Sequence, residues 1–171
     1  MKTYEATVAA IHALPRLAKT GDHERLLTLL AALGNPQTGR YVHVTGTNGK
    51  GSTSSAIAHI LEASGLTVGL FTSPFIMRFN ERIMINHQPI ADAALVEAAA
   101  TVDAALKQVR LQQPNFGVTE FEYITALAFW YFHAQHVDLA VIEVGIGGDT
   151  DSTNVIDPLV SVITSVGLDH A

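Results

Sequence analysis

YVHVTGTNGKGS, Tyr41–Ser52, begins as an apolar, β-branched strand and ends in three glycines set around one lysine. The strand portion is Tyr41–Thr45. A helix follows from about Lys50 to Ser64, with Gly65 just past it, where a C′ glycine belongs. Leu66–Phe71 then reads as a second strand, closed by Ser73-Pro74. Strand, loop, helix and strand form a βαβ unit, whose strands lie parallel in a sheet covered by helices. The fold class this predicts is α/β: a mostly parallel sheet flanked by helices, with a P-loop-like turn at its first crossover.

Upstream, Tyr4, Val8, Ile11 and Leu14 recur at helical spacing before Pro15, and Leu26, Leu27, Leu30 and Leu33 do so before Gly34. Gly34–Arg40 is a turn-rich connector. Downstream, FIMRFNERIMINHQPI runs from a loop into a small hairpin turned at Asn86-His87. Asp92–Gln112 is an alanine-rich helix stopped by Pro114. Thr119–Glu122 has the T-x-x-E form of a capping box ahead of a helix carrying Phe121, Ile124, Leu127, Ala128 and Tyr131. Val137–Val144 and Leu159–Val166 read as further strands, separated by the glycine loop GIGGDTDSTN. A doubly wound sheet calls for a helix after that last strand, and the 171 residues stop at Leu168-Asp169-His170-Ala171. The uncovered edge marks the chain as the front part of something longer.

Hydrophobic residues make up 48% and charged residues 15% of the chain, enough for a core and against disorder. The formal net charge of −6 argues against broad attraction to nucleic acid or an anionic membrane. Ile124–Phe132, a nearly unbroken apolar run, is too short to span a bilayer, and the N-terminus lacks a signal-peptide pattern. With no cysteines there is neither a disulfide framework nor a thiolate metal site, and a reducing cytoplasm is the natural setting. Of the eight histidines, His12, His59 and His133 fall in helical stretches and read as partly exposed packing residues.

The chemistry concentrates at strand ends. In Gly46-Thr47-Asn48-Gly49-Lys50-Gly51-Ser52, backbone N–H groups of a tight turn, a helix N-terminus and the Lys50 ammonium converge, and Ser52 is placed for Mg²⁺ or a phosphate oxygen. The usual P-loop, G-x-x-x-x-G-K-[ST], would put its first glycine at Val44 and Ser directly after Lys50, where Gly51 stands. A glycine-bearing β-to-α turn without a ligand is the alternative. Glu143 ends the apolar strand AVIEV, and a buried carboxylate there demands a cation, a hydrogen-bond network or the solvent of a cleft; Mg²⁺ meets that demand. Ser73 and His170 end two further strands at the same rim, where open α/β sheets bind ligands. His170 fits Mg²⁺ least well, because that ion prefers oxygen.

HVTGTNGKGS, TSPFIMRFNERI, VIEVGIGGDTDSTNV and the closing LDH, in this order and approximate spacing, resemble the folylpolyglutamate synthase and dihydrofolate synthase family of the Mur ligase superfamily. PRLAKTGDHERLLTLLAALGNP is similar to that family's opening. The resemblance implies that residues 1–171 are a truncated, Mur-ligase-like N-terminal ATPase domain, lacking the domain's remainder and a C-terminal ligase domain. It implies that Thr47, Asn48, Gly49, Lys50, Gly51 and Ser52 bind the phosphates of ATP. Ser73, Glu143 and His170, with Ser52, would serve Mg²⁺, and Lys50, Glu143 and His170 would act in catalysis. Phe75, Arg82, Thr150, Asp151 and Ser152 would border the pterin-bearing substrate. Phe75 stands where many members carry histidine after Ser-Pro, and Asp149 where many carry arginine, so the choice between folate and dihydropteroate stays open.

The implied reaction joins L-glutamate to the γ-carboxylate of a tetrahydrofolate through an acyl phosphate, giving ADP and phosphate, in a cytoplasmic enzyme that is monomeric when full-length. Family features beyond Ala171, a lysine carbamate and adenine contacts in the second domain, lie outside these residues, so negligible turnover is expected of this stretch alone. Two rival readings remain: a non-catalytic nucleotide- or folate-binding module, and a simple P-loop phosphatase or kinase. The last leaves TSPFIMRFNERI unexplained.

Overall fold

The computed structural model describes residues 3–16 and 23–167. The expected ligand His170, with the rest of the LDH motif, lies outside the described residues. Helix α1, Tyr4–His12, is capped by Thr3, whose hydroxyl accepts from the Ala6 N–H at 3.2 Å. In α2, Glu24–Ala32, Leu26, Leu29 and Leu30 are buried. The sequence pattern placed Leu27 on this face, but its side chain is 44% exposed. The reason is the helical period: 26, 29, 30 and 33 share a stripe, and 27 falls about 100° off it.

The strands are β1 (Tyr41–Thr45), β2 (Val68–Phe71), β3 (Ile83–Ile85), β4 (Gln88–Pro89), β5 (Leu139–Glu143) and β6 (Val160–Ile163), in sheet order β4-β3-β2-β5-β1-β6. β2, β5, β1 and β6 are parallel, while the β3–β4 hairpin adds antiparallel to the edge of β2. The expected hairpin turn is present, with positive φ at Asn86 (48°) and His87 (54°). β1 has the bounds expected of it, while β2, β5 and β6 are shorter than the apolar runs that announced them. At β2 and β5, for example, the Thr67 N–H is held by the Asp138 carboxylate (2.7 Å) before either ladder begins.

Side-chain alternation sorts the sheet into two cores. Val42, Val44, Val68, Leu70, Leu139 and Val141 pack toward α3 (Lys50–Ala63), which contributes Ala58. Tyr41, Phe71, Ala140 and Ile142 face the larger layer of α1, α2, α4 (Asp92–Gln112) and α5 (Glu120–Ala134). Helix α5 is apolar almost all round because the sheet and three helices enclose it. Its capping box forms as expected: Thr119 Oγ1 accepts from the Glu122 N–H (3.2 Å), and the Glu122 carboxylate accepts from the Thr119 N–H (2.7 Å). Among the described residues, no helix is long and apolar enough to cross a membrane.

Candidate functional site

Parallel pairing brings the carboxyl ends of β2, β5, β1 and β6 to one rim. The glycine loop leaves β1 there and enters α3 through Gly49, which has φ 80° at the N-cap. Gly46 has φ 135°, and a Cβ at this position would collide with Thr164 Oγ1 and the Ser165 backbone. That close approach is the clue to an element the sequence did not announce. The segment after β6 straps the loop: Thr164 Oγ1 donates to the Asn48 carbonyl (2.7 Å), and Ser165 accepts from the Thr47 N–H through its carbonyl (2.8 Å) and from the Asn48 N–H through its hydroxyl (3.1 Å). Gly167 exchanges two bonds with Thr47 Oγ1. A polar Thr-Ser pair directly after a rim strand was the available signal.

This arrangement occupies the first two amides of the turn. The amides of Thr47 and Asn48, expected to face an anion, are held by Ser165. The N–H groups without an intrahelical partner are those opening α3, from Gly49 to Ser52. Thr53 N–H already closes on the Gly49 carbonyl at 2.9 Å. Lys50 bends back over the turn, donating from Nζ to the Gly46 carbonyl (2.8 Å) and the Thr47 carbonyl (3.4 Å), so the ammonium is fixed beside these amides. Ser52 is exposed on the first turn of α3.

Glu143 follows Val141 by two positions, so alternation turns it toward α3. It is 4% exposed, and its Oε2 accepts the Ser73 N–H at 3.1 Å. Burial pushes the carboxyl pKa up, opposed by the Ser73 N–H and the nearby Lys50 charge. Gly51 lies over it: a Cβ there would stand 3.5 Å from Oε2, between the carboxylate and the helix start. Ser73 also accepts from Arg82 Nη1 through its hydroxyl (3.0 Å). Arg82 is buried, packs its guanidinium over Phe75 (5.2 Å) and Phe79 (5.9 Å), and has its pKa pulled down by burial, with Glu120 opposing. Phe75 is half-buried beside Phe79 and His12. Lys50, Gly51, Ser73 and Glu143 are thus brought together, with Arg82 joined to them through Ser73 and Phe75 packed against Arg82.

The 145–153 loop is less uniform than its sequence. Thr150 and Asp149 are exposed and Ser152 is half-buried, but Asp151 turns inward. Its carboxylate accepts from the Ile146 N–H, the Thr153 N–H and the Thr153 hydroxyl (2.9, 2.9 and 2.6 Å). Thr153 in turn pairs with His43 Nε2 at 2.8 Å, and burial lowers the pKa of that imidazole against the pull of Asp151. Asp151 therefore shapes the loop and does not present its charge outward. Between this loop, the glycine turn and the strap lies a cavity of about 520 Å³, lined by Thr45, Gly46, Lys50, Gly145, Gly147 and Ser165 among others. That volume is within the range of small-ligand sites.

The residues present fit a divalent hard cation and a polyphosphate: a buried carboxylate with one backbone donor, a glycine set directly against it, and a helix start with free amides beside a lysine. Comparison with known proteins places the chain in a family. The family model described as the Mur ligase middle domain matches residues 44–171. The chain is 74% identical over 168 residues to a folylpolyglutamate synthase of Lacticaseibacillus casei, covering 98% of this chain and 39% of that protein. It is 50% identical over 151 residues to a dihydrofolate synthase/folylpolyglutamate synthase of Bacillus subtilis, covering 85% and 34%. Among solved structures, an FPGS–AMPPCP–folate complex superposes with a TM-score of 0.97 at 73% identity, over 99% of this chain and 42% of that one. The chain spans between about a third and two fifths of the length of these relatives.

Proposed function

The chain belongs to the Mur ligase family through its middle domain, and from that premise we propose that it is part of the N-terminal P-loop ATPase domain of an ATP-dependent ligase that adds L-glutamate to the γ-carboxylate of a reduced folate. The carrying observation is the pairing of the Gly49–Ser52 amides and Lys50 with the buried Glu143 across Gly51. Its relatives named folylpolyglutamate synthase, and the complex of one with AMPPCP and folate, support the substrate class.

A carboxylate is a poor electrophile because oxide is a prohibitive leaving group. Transfer of the γ-phosphoryl group of ATP to the glutamyl γ-carboxylate releases ADP and makes a mixed anhydride. The α-amine of L-glutamate attacks its carbonyl carbon, phosphate departs with the C–O bond, and the amine proton passes to solvent. The task for this chain is to hold two anions together. The opening amides of α3 receive phosphate oxygens, and Lys50, tethered by the Gly46 carbonyl, neutralises charge spreading onto the γ-phosphoryl oxygens. Glu143, with Ser73 and Ser52 at its margin, would hold Mg²⁺, which when bound supplies charge neutralisation between the phosphoryl oxygens. Phe75 and Arg82, stacked along the base of the hairpin, offer an apolar wall and a cation to the folate side. Phe75 and the exposed Asp149 bear on whether dihydropteroate is also accepted. The absence of cysteine suits a cytoplasmic setting.

The test is ATP- and glutamate-dependent elongation of tetrahydrofolate by the full-length polypeptide, read by mass of the folate product. Stoichiometric ADP, phosphate and a folate heavier by one glutamyl unit are expected. ATP hydrolysis without amide formation overturns the reading.

A further inference from the structure

Away from the strand-end rim, one cluster of side chains has the composition of a metal centre. His59 and Glu62 lie three residues apart on one face of α3, and the tight β3–β4 turn carries His87 onto that face. His87 Nδ1 is 2.7 Å from Glu62 Oε1, and His59 Nδ1 is 3.7 Å from Glu62 Oε2. The two imidazoles stack with centroids 3.3 Å apart and planes 5° from parallel. One donor atom from each residue falls within 4.8 Å of the others.

Tetrahedral ligands each about 2.0–2.1 Å from a metal are about 3.3 Å from one another, which lies between the two histidine–carboxylate separations seen here. On the far side of the His87 ring, Nε2 is 3.2 Å from Ser55 Oγ, the kind of outer partner that orients a ligating imidazole. His87 and Glu62 are mostly covered, with side chains 20% and 18% exposed, while His59 is 62% exposed. Two donors are therefore held in place, and the third is free to rotate from its stack into coordination. Sequence reading treated His59 as an isolated packing residue, because nothing local links it to a hairpin 28 positions downstream.

We propose that His59, Glu62 and His87 form a binding site for a borderline transition-metal dication of the Zn²⁺ type, which fastens the β3–β4 hairpin to α3. Two imidazole nitrogens and one carboxylate oxygen favour Zn²⁺, Co²⁺ or Ni²⁺ over Mg²⁺ and leave a fourth position for water. The site is nine residues beyond Lys50, about 14 Å along the helix axis, and so is separate from the phosphate end. Both elements it joins also reach the rim: α3 begins there, and Arg82 at the hairpin's base donates to Ser73. The metal thereby steadies a wall of the site without touching a reacting atom, and its presence does not depend on the ligase reading.

The experiment uses the metal-stripped, full-length polypeptide with excess Mg²⁺ present to fill hard-cation sites. Zn²⁺ is titrated against a chromophoric chelator, Co²⁺ is followed by its visible d–d absorption, and unfolding is measured with and without Zn²⁺. One equivalent of Zn²⁺, a tetrahedral-type Co²⁺ spectrum and a raised Tm are expected. His59→Ala, at an exposed position that leaves the fold intact, and His87→Gln should each weaken Zn²⁺ binding by about tenfold or more and remove the Tm shift. Equal Zn²⁺ affinity in wild type and His59→Ala, or no Co²⁺ spectrum, overturns the proposal and reduces the cluster to a hydrogen-bonded stack.

Discussion

Glu143 sits where β5 runs out, on the face that alternation turns toward α3, and its environment opposes its own charge. Burial raises its pKa above the ordinary carboxylate value, and the Ser73 N–H and Lys50 only partly offset that. A carboxyl whose folded pKa exceeds its unfolded one holds its proton longer in the native state, so the metal-free protein loses stability as pH rises from about 4.5 through the folded pKa. Glu143→Gln keeps an acceptor for the Ser73 N–H and removes the charge. It should raise metal-free stability at neutral pH by on the order of 1 kcal/mol and flatten that pH dependence in denaturant titrations, while abolishing ligase turnover. Lys50→Ala should instead lower kcat of the full-length enzyme by roughly 10²–10³-fold, read in steady-state kinetics, because the missing cation acts on charge that grows in the transition state. Both residues were legible in the sequence: a carboxylate interrupting an apolar strand and a lone lysine among glycines are local anomalies. Asp151 was not, because its inward turn depends on Thr153 and the Ile146 amide, contacts that its neighbours in GGDTDSTN do not announce.

The strap after β6 gives the glycine loop its shape, although it is more than a hundred residues away in sequence. Thr164 Oγ1 directs its single proton to the Asn48 carbonyl at 2.7 Å, with the Thr45 carbonyl farther off at 3.3 Å, an interaction worth about 1 kcal/mol net. Thr164→Val preserves the volume and removes that donor, so the KM for nucleotide should rise about tenfold with kcat changed less. That split in the kinetic constants separates a positioning element from Lys50. In the helical layer, Thr119→Ala deletes one half of the α5 capping box and should cost about 1 kcal/mol, seen as a Tm lower by a few degrees. Glu122 bears more, since Arg25 Nη2 donates to it at 2.8 Å while it also caps the helix. The box itself was readable because its signal spans four residues, as was the Asn86-His87 turn. The strap, the Arg25–Glu122 pair and the His59–His87 stack join segments whose proximity is a product of the fold, so no periodicity or local motif foretells them. Leu27 illustrates a subtler limit: leucines are dense enough in α2 that several stripes fit the pattern, and packing against α4 and α5 selects the one through Leu29.

Within these 171 residues, the four parallel strands differ sharply in how well they are covered, and the difference falls on the site. All five residues of β5 are buried between two layers, whereas Val160 and Ile163 of β6 are 52% and 65% exposed at the sheet's edge. Backbone hydrogen bonds of an edge strand open locally far more often than those of a central one. The strap continues directly from β6 and is anchored on the glycine loop through Thr47 and Asn48, so anything that fixes the loop also fixes the edge. Occupation of the α3 amides by a triphosphate is therefore expected to slow hydrogen exchange across residues 160–167 by at least about tenfold. Exchange in β5, already protected by both cores, should hardly change. Mass-resolved exchange on the 171-residue polypeptide, in which β6 is the sheet edge, with and without AMPPCP in the presence of Mg²⁺, reads both strands in one measurement. Slowing confined to α3, or spread evenly over β5 and β6, would mean that the strap does not connect nucleotide to sheet edge. The Thr164→Val protein supplies the internal check: its 160–167 segment should exchange faster from the start and recover less protection when the nucleotide analogue is added.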